Sequence, residues 1–417
     1  MGKNSFTNKQ KIINDPVYGF IKIPFDIVFD LIEHPLLQRL RRIRQLGLTN
    51  FVYPGANHTR FQHAIGAMHL MDQAIEIIRS KGHSISGDEA VAVTTAILLH
   101  DIGHGPFSHS LEQSLIRDTT HEAISLMYME RLNEEFGGRL EQAITIFTNG
   151  YHKHFLHQLV SSQLDMDRLD YLKRDSFFTG VTEGVIGSDR IIKMLNVKDD
   201  QLVVDEKGIY SIEKFLIARR LMYWQVYLHK TVVSSEQVLL MMLRRAQWLT
   251  GQGEKLFATP ALSFFLGDEP GRFDPSNRKI FLDQFAALDD NDILASAKVW
   301  SRHSDSVLSL LAGGLMNRVL FRVELGDEPF SVERVGRLRE GVSRQLEVSD
   351  DDAGYLVISD SVSNFAYSDM DDRIAIMDRQ GRIRDIADAS DMLNISVLSK
   401  TVRKYFLCYP KFVKELS

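Results

Sequence analysis

From Pro24 to Leu249 apolar residues recur three and four positions apart, through DIVFDLIEHPLLQRLRRIRQLG, FQHAIGAMHLMDQAIEIIRSKG and DEAVAVTTAILLHDIG. That is the period of helices with one buried face, and it commits this stretch to packing helix against helix. Gly47, Gly82 and Gly103 close apolar runs, where a left-handed helix cap falls. Thr119 and Glu122 have the spacing of a capping box, so a helix is expected to open beside His121. Another should carry HQLVSSQLDMDRLDYLKRD. QLVVDEKGIYSI reads as a small hairpin around Asp205 to Gly208, followed by a long helical stretch to Leu249 with at most one break.

After Gly251 the character changes. GQGEKLFATPALSFFLGDEPGRFDPSNR reads as a loop-rich passage. NRVLFRVEL, YLVISDSVSNFAY and RIAIMDRQGRIRDI read as short strands, the last folding on itself around Asp378 to Gly381. The expected fold class is mainly α with a smaller C-terminal α+β module. A chain of 417 residues exceeds the size at which one core keeps growing, so three parts are expected: residues 1–250, a loop-rich and helical connection over 251–300, and the module over 301–417.

Composition excludes more than it selects. A net charge of −6 gives no global basic field, so nucleic-acid binding by bulk phosphate neutralisation is not indicated, although a local basic cleft is compatible with it. Cys408 is the only cysteine, which excludes an intramolecular disulfide and a cysteine-based zinc site and fits the cytoplasm. MGKNSFTNKQKIIND lacks a secretory apolar core and matches a myristoylation signal poorly, and no run reaches the roughly 18 apolar residues of a membrane span.

His63 in RFQH, His100 and Asp101 in ILLHDIGHG, and the carboxylates of DMDRLD offer the imidazole and carboxylate donors that a mid-series divalent ion takes. A site with few protein ligands leaves positions for water and a phosphate oxygen, so a hydrolytic metal centre is the first reading. Side chains 100 and 101 leave a helix end about 100° apart and share an ion only if it lies against that end. The alternative is a capped helix with a dipole-favoured histidine and an exposed aspartate. Gly105-Pro106 turns the chain so that His104 and His109 can face one cavity, where a histidine can protonate a leaving oxygen or bind phosphate. Asp167 and Tyr171 share a helix face and Asp170 can pair with Arg174, but spacing does not choose the inward carboxylate. Arg219, Tyr223 and Lys230 lie near one helical stripe, a place for several phosphates. With no glycine-rich phosphate loop, side chains and metal would have to hold them.

Taken in order, LQRLRRIRQLG, YPGANHTRFQHAIG, LLHDIGHGPFSH, His121-Glu122, LDMDRLDYLKRD and YLHK resemble the HD-domain phosphohydrolases, and within them the dNTP triphosphohydrolases, the group that holds the SAM-and-HD-domain enzyme and bacterial dGTP triphosphohydrolases. The likeness covers about residues 10 to 245. It implies an HD-domain helical core over residues 1–250 and a ligand set of His63, His100, Asp101 and Asp167 for one divalent ion (Fe, Mn, Zn, Ni or Mg), with a second Mg on the triphosphate as a further expectation. It also implies His109 as proton donor to the departing 5′ oxygen, His104 on the phosphates and His121 close by; Glu112 stands where the family has an aspartate. Arg60, Arg168, Arg219 and Lys230 match phosphate contacts, Gln45 and Leu46 the sugar end, and Tyr171, Asp175 and Tyr227 the ribose floor.

The activity this implies is metal-dependent hydrolysis of deoxynucleoside triphosphates, dGTP among them, to deoxynucleoside and inorganic triphosphate by a homo-oligomer, dimer or tetramer, away from membranes. The rival readings are a phosphohydrolase for a 5′-nucleotide, cyclic or alarmone nucleotide, and a nucleotide- or single-strand-binding regulator with a non-catalytic metal site.

Overall fold

Helices form where the apolar period runs, and they break where local chemistry forbids continuation. The computed structural model describes residues 11–107, 111, 114–116, 119–267, 273–364, 373–391 and 402–413. Helix α1 (Asp26–Glu33) stops at His34, which is extended at φ −69°, ψ 137°. Pro35 disfavours helical backbone in the residue before it, so the run expected as one helix restarts as the short turns Pro35–Gln38 and Arg39–Arg42.

Helix α2 (Arg60–Ser80) opens on a box in which the Thr59 N–H donates to Gln62 Oε1. Helix α3 (Gly87–Leu99) opens on a box of Ser86 and Glu89. The cap of α4 (His121–Glu135) is Thr120, one residue beyond the expected Thr119, with its hydroxyl accepting from the Ala123 N–H. HQLVSSQLDMDRLDYLKRD forms two helices, not one: His154–Val160 and α5 (Met166–Thr179). Between them Asp165 caps α5, accepting the N–H groups of Ser162 at 2.8 Å and Arg168 at 2.6 Å, so the backbone there turns outward to meet a side chain. Gly180, at φ 74°, ends α5. Helix α6 (Ile209–Met222) widens at Tyr223–Tyr227 and breaks once at Leu228–His229 before α7 (Lys230–Gly251).

Strands β1 (Ile12–Asp15) and β2 (Gly19–Lys22) pair antiparallel beside α2. The expected hairpin turn around Asp205 to Gly208 lies elsewhere. Strands β3 (Leu195–Lys198) and β4 (Gln201–Asp205) join through Asp199 and Asp200, both left-handed at φ 52° and 57°, the two-residue turn that aspartate tolerates. Residues 206–208 instead form the tight turn into α6. Strands β5 (Arg322–Gly326), β6 (Ile358–Asn364), β7 (Ala375–Met377), β8 (Ile383–Asp385) and β9 (Val402–Tyr409) come from the C-terminal third. A three-stranded antiparallel sheet has the order β5-β9-β6, and a second sheet has the order β3-β4-β7-β8. In the latter β7 adds in parallel to β4, while β7 and β8 make the hairpin expected around Asp378 to Gly381. The loop-rich passage after Gly251 carries a helix, Pro260–Leu266, with proline at its first turn, where no N–H is needed.

The molecule is mainly α with a smaller α+β part, as expected. Among the described residues no helix is long and apolar enough to cross a membrane. Helix α2 is central and packs on both α3 and α5. Gly66 permits the α2–α5 crossing: a Cβ there would lie 2.0 Å from Asp170 Oδ1 and 2.2 Å from Arg174 Nη2. Gly82 is left-handed just past the end of α2, Gly47 is left-handed in a turn four residues beyond the cap Ile43 and closes no helix, and Gly103 is not left-handed at all. It is glycine because a Cβ would lie 2.2 Å from the His121 carbonyl oxygen and 2.3 Å from the Ser125 nitrogen of α4.

Candidate metal centre

The first turn of α2 carries Arg60 and His63, the end of α3 leads into His100 and Asp101, and the first turn of α5 carries Asp167. These ends meet. Donor atoms of His63, His100 and Asp101 all lie within 4.8 Å of one another. His63 Nε2 is 3.4 Å from His100 Nε2, 3.1 Å from Asp167 Oδ1 and 3.7 Å from Asp101 Oδ2. His100 Nε2 is 3.4 Å from Asp101 Oδ1 and 3.5 Å from Asp167 Oδ1.

The far nitrogens explain this orientation. His63 Nδ1 donates to Asp170 Oδ2 at 2.7 Å, and His100 Nδ1 donates to the Ile97 carbonyl at 2.6 Å. With each ring proton held there, a neutral imidazole turns its Nε2 lone pair into the cluster, the tautomer a metal requires. Two lone pairs and two carboxylates converging in a buried place need a cation, and the mixed nitrogen and oxygen set suits a divalent one. Electrostatics agree. Burial opposes charging His63, but Asp167 and Asp170 raise its pKa to about 10. Burial would likewise raise Asp167 and Asp101, yet His100 and His63 hold the first far below the carboxylate range, and His104, His100 and Arg60 hold the second well below it. The carboxylates stay ionised, and the positive charge comes from protons or from a metal that displaces them.

The carboxylates of DMDRLD divide their work. Asp167 faces the cluster, whereas Asp170 braces His63 and accepts from Arg174 Nε at 2.9 Å and Nη2 at 3.0 Å. Arg174 Nη1 continues the chain to Asp15 Oδ2 at 2.7 Å, and Asp170 and Arg174 are wholly buried. Two further residues hold the His100–His104 turn. Arg39, buried over the Phe285 ring, donates to the carbonyls of Ile102 and His104. Ser125 donates to the His100 carbonyl and accepts from the Gly103 N–H. In the sequence Arg39 is one cation of a basic run, and nothing marks it as the buried one.

Beside the cluster His104 Nδ1 lies 3.2 Å from Asp101 Oδ1, and its ring is 4.0 Å from that of His121. Burial, then Arg60, lowers the His104 pKa to about 4, so the ring is neutral at pH 7. His121 Nε2 is 3.1 Å from Glu122, whose carboxyl it holds down at about 2. His109 and Glu112 lie outside the described residues.

Arg60 Nη1 donates to Asp101 Oδ2 at 2.6 Å and also lines a cavity of about 300 Å³. Gln45, Leu46, Asp175 and Tyr227 line it too. Tyr227 donates to Asp175 Oδ2 at 2.8 Å, and His58, which the motif reading passed over, meets Asp175 Oδ1 at 2.7 Å. Tyr171 stands edge-on to Tyr227 at 6.4 Å. Arg168, Arg219 and Lys230 stand outside the cavity walls. Arg168 donates to the Ser162 carbonyl and Arg219 to Gln163. The break at Leu228–His229 takes Lys230 off the expected stripe and leaves it exposed at the start of α7. Glu236, also unflagged in the sequence, lines the cavity, and burial pushes its pKa up to about 7.

Against known proteins, residues 60–175 match the HD domain model and residues 186–255 the HD associated region. The uncharacterized protein YwfO of Bacillus subtilis is 31% identical over 98% of this chain and 94% of its own length. The chain belongs to the HD-domain phosphohydrolase superfamily. A solved phosphohydrolase from Bacteroides thetaiotaomicron is 57% identical to this HD-domain chain, with a TM-score of 0.93 over 96% of this chain and 99% of that one. The deoxynucleoside triphosphate triphosphohydrolase SAMHD1 homolog of Dictyostelium discoideum is 32% identical over 56% of this chain, which spans 48% of that relative. The matched HD region carries every residue of the cluster, and HD domains bind divalent metal; His63, His100 and Asp101 are placed to do so.

Proposed function

We propose that this HD-domain protein hydrolyses deoxynucleoside triphosphates to a deoxynucleoside and inorganic triphosphate. One observation carries the reading: Arg60 joins the metal cluster, through Asp101, to a cavity lined by Gln45, Leu46, Asp175 and Tyr227. The activity in the name of the SAMHD1 homolog supports it.

His63, His100, Asp101 and Asp167 would hold the ion, which supplies charge stabilisation and an activated water at neutral pH. Water oxygen bonds to the α-phosphorus, the bond from that phosphorus to the 5′ oxygen breaks, and a proton reaches the departing oxygen. Asp170 and Ile97 keep the two imidazoles oriented throughout. His109, with His121 and Glu112 behind it, is the proposed proton donor. His104 stands on the phosphates, and Arg60, Arg168, Arg219 and Lys230 meet their charge. Gln45 and Leu46 take the sugar end. Tyr171, Asp175 and Tyr227 form a floor that leaves no room for a 2′-hydroxyl, hence deoxy selectivity. The division into 1–250, 251–300 and 301–417, a homo-oligomeric state and a cytoplasmic setting belong to the same proposal.

The test is incubation of metal-analysed protein with each dNTP and NTP, alone and in pairs, followed by separation of products. Intact triphosphate with a deoxynucleoside supports the reading. Orthophosphate, pyrophosphate or cleavage of a cyclic or alarmone nucleotide instead would replace it.

A further inference from the structure

The wall that α7 gives to the cavity contains a carboxylate with nothing to hold. Glu236 lines it beside Leu239, on a helix that carries no member of the metal cluster. Among the described residues no hydrogen bond or ion pair reaches Glu236. Arg60 lines the same cavity but donates to Asp101, and Arg44, also in the wall, meets Asp290 through its backbone N–H. A second acceptor points the same way: Gln45 Oε1 is buried without a partner. Partly withdrawing a carboxylate from water without a partner has a cost, and such a group persists where a ligand completes it.

An ionised carboxylate only accepts hydrogen bonds. With Arg60 at the triphosphate end beside the metal cluster and the Asp175–Tyr227 pair under the sugar, the wall that α7 supplies, Glu236 and Leu239, faces the base. Guanine presents two adjacent donors, N1–H and the 2-amino group, spaced for the two oxygens of one carboxylate. Adenine and cytosine place a ring acceptor beside their amino group, and thymine flanks one donor with two carbonyls. We propose that Glu236 reads the base, selecting guanine through paired hydrogen bonds to its N1–H and 2-amino group. This rests on the nucleotide reading above.

A site built to bond a polar group discriminates against ligands lacking it, and charge-assisted bonds make the preference about 10- to 100-fold. The experiment measures kcat/KM of the metal-loaded protein for dGTP, dITP, dATP, dCTP and dTTP, beside the variant Glu236→Gln, with thermal melting to confirm folding. The wild type should prefer dGTP, lose most of that preference with dITP, which lacks the 2-amino group, and lose it again in the variant. Equal base ratios in a folded variant and wild type overturn the assignment. If neither protein hydrolyses any triphosphate, the nucleotide reading above fails by itself. Titration with dGMP and dAMP then decides Glu236: tighter dGMP binding lost in the variant supports it, and equal binding in both proteins overturns it.

Discussion

Replacing Asp170 with asparagine removes one oxygen and one charge from a buried chain of four residues. Asp170 Oδ2 accepts from His63 Nδ1 at 2.7 Å and from Arg174 Nε at 2.9 Å, while Oδ1 accepts from Arg174 Nη2 at 3.0 Å. Asparagine keeps one acceptor and turns an NH₂ toward a donor, so either His63 or Arg174 loses its partner. If His63 loses it, nothing holds the proton at Nδ1 and Nε2 is no longer reserved for the metal. Losing such a partner costs 10- to 100-fold in metal affinity, about 1.4–2.8 kcal/mol. Separately, Arg174 keeps only Asp15 in a fully buried place, and breaking a buried pair costs about 3–5 kcal/mol. At least one effect should appear: weaker Mn(II) binding by titration calorimetry of stripped protein, or a lower melting temperature of the metal-free form. Asp15→Asn is the control, since it touches Arg174 but not His63 and should lower melting while leaving Mn(II) affinity within about threefold. An Asp170→Asn protein that binds Mn(II) as tightly as wild type and also melts like wild type, its Arg174 pair kept, would refute the tautomer argument.

Glu236→Gln should also stabilise the protein. Burial raises this carboxyl from 4.5 to about 7, so the folded state binds more protons than the unfolded between those values and stability falls as pH rises through that window. The variant should gain about 1–3 kcal/mol at pH 8, discounted for partial exposure, and almost nothing at pH 4, read by denaturant unfolding at both. Gly103→Ala drives a Cβ into the backbone of α4 and displaces the turn bearing His100 and Asp101; metal content per chain and melting temperature should both drop. Tyr227→Phe leaves Asp175 with His58 alone, and should raise KM for a dNTP with a smaller change in kcat.

Much of the site was legible because its residues sit at helix ends, where a periodic apolar run stops and polar residues begin. His63, His100 and Asp101 are of that kind. The choice of Asp167 over Asp170 came from the family resemblance and not from spacing, since both lie in one turn of α5 and only the position of α2 decides which carboxylate meets Nδ1 and which meets Nε2. The stripe of Arg219, Tyr223 and Lys230 misled because a helical spacing of seven assumes an unbroken helix, whereas the chain turns at Leu228–His229 after the widened coil at Tyr223–Tyr227. Arg39, His58 and Glu236 acquire their roles from elements distant in sequence, so no local pattern could announce them. In the fold, the β7–β8 hairpin was readable from its own turn, whereas the parallel pairing of β7 with β4 joins residues more than a hundred positions apart and leaves no local trace.

The most direct measurement is hydrolysis of a dNTP by metal-loaded protein in heavy-oxygen water, with mass spectrometry of both products. Attack on the α-phosphorus places the label in intact inorganic triphosphate and leaves the deoxynucleoside unlabelled. Label in the 5′-hydroxyl of the nucleoside, or release of labelled orthophosphate or pyrophosphate, contradicts the account.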